Sequence, residues 1–131
     1  MQFKSKANST ILLPDVEHNS GEVLIRGPAT VSTKESEGCV ETIYTYDMYI
    51  MSENEYVDVQ IGRFAGPWTD LLRSVQRAYL YDEADKMVSK YSTDVSNDTK
   101  KQAWIAYKAG VRATQNVQGY PQTVSYPARP E

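Results

Sequence analysis

The chain has 131 residues, 40% of them hydrophobic and 24% charged, with a formal net charge of −3. That length closes one core, or one core with a small appendage, and the apolar runs fall far short of the roughly 20 residues that span a bilayer, so no membrane partner is expected. Cys39 is the only cysteine, which excludes an intrachain disulfide and fits a reducing compartment. Met1 to Lys6 has no apolar core of the kind a signal peptide needs. Residues 1–62 carry four basic and ten acidic side chains, and residues 63–131 carry ten basic and seven acidic. No dense Lys/Arg patch appears, so nucleic acid is not an expected partner either.

The first half reads as strands. Thr10-Ile11-Leu12-Leu13 is a short candidate that stops at Pro14. Asn19-Ser20-Gly21 forms a turn before Val23-Leu24-Ile25, and Gly27-Pro28 breaks or bends the chain before Ala29-Thr30-Val31. The clearest strand is Val40 to Ile50, where Val40, Thr42, Tyr44, Tyr46, Met48 and Ile50 share a face. Ser52-Glu53-Asn54 reads as a turn, and Val57, Val59 and Ile61 alternate with polar neighbours to complete a hairpin. The expectation is an antiparallel β-meander over 1–65.

The second half, 66–131, reads as two helices and a tail. Gly66-Pro67 opens the first helix, with Pro67 where no N–H donor is needed, and the helix runs from about Trp68 to about Tyr91. Its apolar stripe turns part-way. Trp68, Leu71, Leu72, Val75 and Tyr79 share one face, whereas Leu80, Ala84, Met87, Val88 and Tyr91 share another. Either the helix bends near Tyr79, or its halves pack against different things. Ser92 to Asn97 is a polar linker, and a second helix follows from about Thr99 to about Gln115 with Trp104, Tyr107 and Val111 on one face. Prolines at 121, 127 and 130 then favour an extended tail. The fold class is therefore α+β: a small meander packed with two helices, ending in an extended Pro-rich segment.

Catalytic chemistry finds little footing. His18 is the only histidine and sits in an expected loop without a partner at motif spacing, and Cys39 reads as a structural thiol. No cluster has metal spacing. Asp82, Glu83 and Asp85 are spread around a helix and do not converge. No catalytic residue, metal or cofactor is assigned, and the reading is non-enzymatic.

The stretch from Lys100 to Glu131, and more loosely the chain from about residue 68, resembles the tail assembly chaperones of tailed bacteriophages, the tail fibre assembly proteins. The shared pattern is a helix with Trp104, then Tyr107-Lys108 and Arg112, a Gly119-Tyr120-Pro121 turn, and Val124, Tyr126, Pro127 and Pro130. Lys108 stands where that family usually has Arg, and Tyr126 where it usually has Trp. The resemblance implies a chaperone that binds a phage tail or tail fibre protein in the host cytoplasm and assists its assembly. A permanent structural component of the virion, such as a tail, neck or decoration subunit, stays open as the alternative, as does a homo-oligomer. The partner surface is placed on Lys101, Ile105, Lys108 and Arg112, which helical spacing aligns in one stripe, together with Tyr120 and Tyr126. Trp104, Tyr107, Gly119, Pro121 and Pro127 are read as the family pattern itself.

Overall fold

In a computed structural model that describes residues 1–131, the chain separates into two units, Met1–Val57 and Asp58–Glu131. The fold is α+β. Strands β1 (Gln2–Ser9), β2 (Val16–Asn19), β3 (Glu22–Arg26), β4 (Thr30–Ser36) and β5 (Cys39–Ser52) form one antiparallel sheet. Helices α1 (Glu53–Ile61), α2 (Asp70–Tyr91) and α3 (Asp98–Ala113) come after it in the chain. The division falls inside α1 rather than near residue 65.

The sheet is built around β5 and is not a meander. Strand order is β1-β5-β3-β2, with β4 also on β5. β1 takes one side of β5, pairing from Ile50 back to Tyr44. β3 and β4 share the other side in tandem, β3 against Met48 to Ser52 and β4 against Cys39 to Thr45. The break at Gly27-Pro28 makes this possible. The Gly27 N–H still bonds to Asp47 O at 2.9 Å, and Pro28 has no donor with which to continue.

Two hairpin turns set the register. Ser20-Gly21 has φ values of 49° and 86°, and Glu37-Gly38 has 51° and 79°. Two positive φ values in a two-residue loop define the type I′ turn, whose twist matches that of the strands it joins. The second turn closes a hairpin of β4 and the start of β5. Beyond Tyr44, where β1 ends its pairing, this hairpin is a ribbon of only two strands.

Alternation holds only in the inner half of β5. Tyr46 and Met48 are buried as expected, but Val40 and Thr42, on the same face, are exposed in the ribbon. The opposite face also buries side chains: Val23, Ile25 and Met51. Residues 10–13 are not a strand. They cross the Tyr46 face, where the Leu13 N–H bonds to the Tyr46 hydroxyl at 2.9 Å. The buried Arg26 anchors the next stretch of chain, reaching Pro14 O and Glu17 Oε2, both at 3.0 Å. His18 lies in β2 rather than in a loop, and β1 had no sequence expectation at all.

The expected strand over Val57 to Ile61 is helix α1. Its start is a reciprocal cap: Ser52 Oγ accepts from the Glu55 N–H at 3.2 Å, and Glu55 Oε1 accepts from the Ser52 N–H at 3.0 Å. A Ser-x-x-Glu cap of this kind satisfies two donors at once, and it outweighs five residues of period-two alternation. Helix α2 starts two residues later than expected, capped by Thr69 Oγ1 on the Leu72 N–H. Pro67 precedes it in a cis peptide bond with Gly66.

α2 and α3 form a hairpin of helices through residues 92–97. Trp104, Tyr107 and Val111 are buried with Ala84, and Leu80, Tyr81, Met87, Val88 and Tyr91 pack around them. The second stripe of α2 is thus the face turned to α3, and α2 runs unbroken from Asp70 to Tyr91. The two stripes mark two surroundings and not an interruption.

Candidate functional site

The tail after α3 is tied down along its length. A short 3-10 turn over Thr114–Asn116 ends α3. Gly119, at φ +94°, then lets the chain fold back so that the Thr123 N–H meets Gly119 O at 3.0 Å. A side-chain-bearing residue would be strained there.

One stripe of α2 receives the tail: Asp70, Arg73, Gln76, Arg77 and Glu83. Arg73 is 6% exposed and uses all its nitrogens. Nε donates to Pro121 O at 2.7 Å, one terminal nitrogen to Gln122 O at 3.1 Å, and the other to Gln76 Oε1 at 2.9 Å. Its plane lies 3.9 Å from the Trp68 ring centre. Burial lowers the Arg73 pKa from its ordinary value, with Tyr126 acting in the opposite direction. Reading two carbonyls in a fixed fork is a task for guanidinium, which lysine cannot perform.

The tyrosines complete the attachment. The Tyr120 hydroxyl accepts from Arg77 and donates to Asp70 Oδ1 at 2.5 Å. The Tyr126 hydroxyl donates to Gln76 Oε1 at 2.8 Å. Burial is the largest influence on both phenols and raises both above their usual pKa; nearby arginines pull the other way. Gln76 in turn presses on Gly62, where a Cβ would come within 2.7 Å of its amide nitrogen. Pro127 rests on α3 at Gly110, its Cγ 3.0 Å from where a Cβ would stand. Arg129 pairs with Glu83 at 2.5 Å and lies 5.6 Å over the Trp104 ring. Trp104 itself is 1% exposed and meets Tyr107 edge-on. Its indole N–H has no hydrogen-bond partner.

No protein-family model, curated protein or solved structure matches this chain.

Five residues singled out in the C-terminal stretch, Trp104, Tyr107, Gly119, Pro121 and Pro127, meet in one place. Trp104 and Tyr107 make the floor, Gly119 the fold-back, Pro121 the carbonyl held by Arg73, and Pro127 the contact on Gly110. The six residues assigned to a partner surface do not stay together. Gly110 lies about 160° around α3 from Lys108 at helical spacing, so the tail and the basic stripe occupy opposite flanks. Tyr120 and Tyr126 belong to the tail attachment, and their hydroxyls already have partners within the chain. On the other flank, Ile105 is 42% exposed and Arg112 is exposed. Lys108 is half-buried, paired with Asp85 at 2.8 Å and lying 5.4 Å from the Tyr81 ring. Lys101 is also half-buried.

The remaining candidates have ordinary surroundings. His18 Nδ1 is 2.9 Å from Glu53 Oε1 at an exposed site, with Tyr56 edge-on to its ring. Cys39 is exposed beside the ribbon turn. Asp82, Glu83 and Asp85 each pair with a different cation, Lys86, Arg129 and Lys108. No group of three or more His, Cys, Asp or Glu is placed to hold a metal. No helix is long and apolar enough to cross a membrane.

Arg73, Gln76, Arg77, Gly110 and Arg129 were not singled out from sequence. Arg73 and Arg77 did leave a signal. They flank Gln76 one helical turn apart, interleaved with the apolar Leu72 and Val75, and a buried charged side chain needs partners.

Proposed function

We propose that this chain is an assembly chaperone for a bacteriophage tail or tail fibre protein, acting by binding and not by catalysis. One observation carries the reading. Of the residues behind the resemblance, Trp104, Tyr107, Gly119, Tyr120, Pro121, Tyr126 and Pro127 take part in joining the tail to the helix pair, while Lys108 and Arg112 lie on the opposite flank of α3. Unassembled fibre and tail proteins expose apolar surface and open strand edges, and a small cytoplasmic partner can shield them until subunits meet. The α3 flank suits such contact: exposed Ile105 serves as an apolar anchor, with Lys101, Lys108 and Arg112 as a charged rim.

Co-expression with the tail or fibre protein of the same phage, followed by pull-down, tests the reading. The complex is expected with the unaltered chain and lost with Ile105→Asp. Purified particles should lack the chain. Its presence there in fixed stoichiometry would establish the virion component instead, and no complex with any tail or fibre protein would end the proposal.

A further inference from the structure

β1, β2 and β4 each leave one edge unpaired in the sheet. Open edges present free N–H and C=O groups, and folded proteins blunt them with bulges, prolines, lysines or short length. β1 has a register break between Lys4 and Ala7, with Lys6 at φ 55°. β2 has only four residues and comes just after Pro14. β4 has seven residues, pairs with β5 without a register break, and contains no proline. Its one lysine, Lys34, stands directly across the ladder from Glu41.

The turn fixes which groups of β4 face outward. In a two-residue hairpin the flanking pair, here Ser36 and Cys39, exchanges both ladder bonds, and bonded pairs then alternate with unbonded ones. Ser32 and Lys34 therefore bond to β5. The N–H and C=O groups of Val31, Thr33 and Glu35 point away from it.

We propose that a second copy of this chain occupies this edge, β4 pairing antiparallel with β4 about a two-fold axis at Thr33. Two-fold symmetry requires that a strand meet itself in this way. Thr33 is the midpoint of β4 and one of its outward residues, so this register uses every outward group. Val31 meets Glu35 of the second copy, Thr33 meets Thr33, and Glu35 meets Val31. Lys34 stands opposite Ser32 of the second copy, whereas an axis at Lys34 would set two lysines face to face. Thr42 lies beside Thr33 in the ladder. The joint therefore makes an unbroken row, Thr42-Thr33-Thr33-Thr42, of a kind that stabilises sheets. Val31, 60% exposed, lies on that same face and gains a neighbouring strand. A single strand pair is smaller than the roughly 1,200–2,000 Å² of a standing interface, so the dimer is reversible and concentration-dependent.

Sedimentation velocity of the full chain across the micromolar range should show a monomer–dimer equilibrium. Thr33→Pro removes an outward N–H and leaves the bonds to β5 in place. Losing that donor in both copies should raise the dimer dissociation constant by about tenfold or more. In a Cys39→Ser background, Thr33→Cys should form a disulfide dimer on mild oxidation, because bonded cross-strand Cα atoms lie about 5.5 Å apart. Lys4→Cys in the same background should stay monomeric. A monomer at every concentration overturns the proposal, as does a dimer of unchanged affinity in folded Thr33→Pro. If Thr33→Pro does not fold, the cysteine pair decides, and failure of Thr33→Cys to cross-link overturns it.

Discussion

The C-terminal tail and the β4–β5 ribbon are both extended chain, and they are held in opposite ways. The ribbon relies on its own backbone: a ladder closed by a type I′ turn, with nearly every side chain exposed. The tail has no ladder. Its carbonyls are held by a buried arginine, its tyrosines by side chains of α2, and one proline by a bare glycine on α3. A ladder asks little of side-chain identity beyond its turn. Side-chain capture asks for particular residues at particular places. This explains why the ribbon sequence is a plain mixture of Ser, Thr, Glu and Val, whereas the tail places Tyr120, Tyr126, Pro127 and Arg129 each against a particular partner.

The comparison can be broken at several points. The largest effect is expected at the floor beneath the tail. Trp104→Ala should destabilise the unit by about 3–5 kcal/mol, measured by denaturant unfolding. A loss below 1 kcal/mol would show that the cluster does not depend on the indole. Arg73→Ala should cost about 2–3 kcal/mol, since it removes two charged, part-buried hydrogen bonds to tail carbonyls. Amides over 119–127 should then exchange faster while those of β4 do not change. Arg73→Lys should recover little of this protection.

On the ribbon side, Gly38→Ala places a Cβ at φ +79° and should cost about 1–2 kcal/mol, with tail exchange unaffected. If both regions lost protection together, the contrast between them would fail. Alkali offers a milder probe. Tyr120 and Tyr126 have pKa values raised above the usual 10.0, chiefly by burial. Their contribution to stability is therefore complete below that value and is lost as pH rises through the raised folded values. Unfolding of the unaltered chain compared with Tyr126→Phe between neutral pH and pH above 10 should show a steeper decline in the former. The smallest effect belongs to the exposed flank of α3. Ile105→Asp should stay within about 0.5 kcal/mol of the unaltered chain, and a clear loss of stability would show that Ile105 is needed for folding.

Much of this architecture could be read from the sequence because it rests on long patterns. The 3.6-residue stripes placed α2 and α3 within two residues at either end, and they put Trp104, Tyr107 and Val111 together. The alternation of Val40 to Ile50 found β5. Short patterns misled. Val57, Val59 and Ile61 alternate as a strand does, yet Ser52 and Glu55 were the better signal because they name a helix start with two specific bonds. Thr10 to Leu13 looked apolar enough for a strand, but the path over Tyr46 depends on Arg26, many residues away in the chain. The order of strands around β5 arises from long-range pairing that local sequence does not encode. At the candidate site, Tyr120 and Tyr126 were read as free aromatics because their partners, Gln76, Arg77 and Asp70, lie about fifty positions earlier. The stripe on α3 needed only helical spacing, and its exposed residues are where that spacing put them.

The position of the two indoles has a practical consequence. Trp68 lies under Arg73, which grips the tail, and Trp104 lies under Arg129, which belongs to it. Every tryptophan in the chain thus sits beneath a guanidinium that the tail either engages or supplies. Intrinsic emission is then a label-free optical gauge of tail attachment. Departure of the tail would admit water to Trp104 and shift its spectrum to the red. The sheet contributes no indole to that signal, and a dye on Cys39 would report the ribbon on a separate channel.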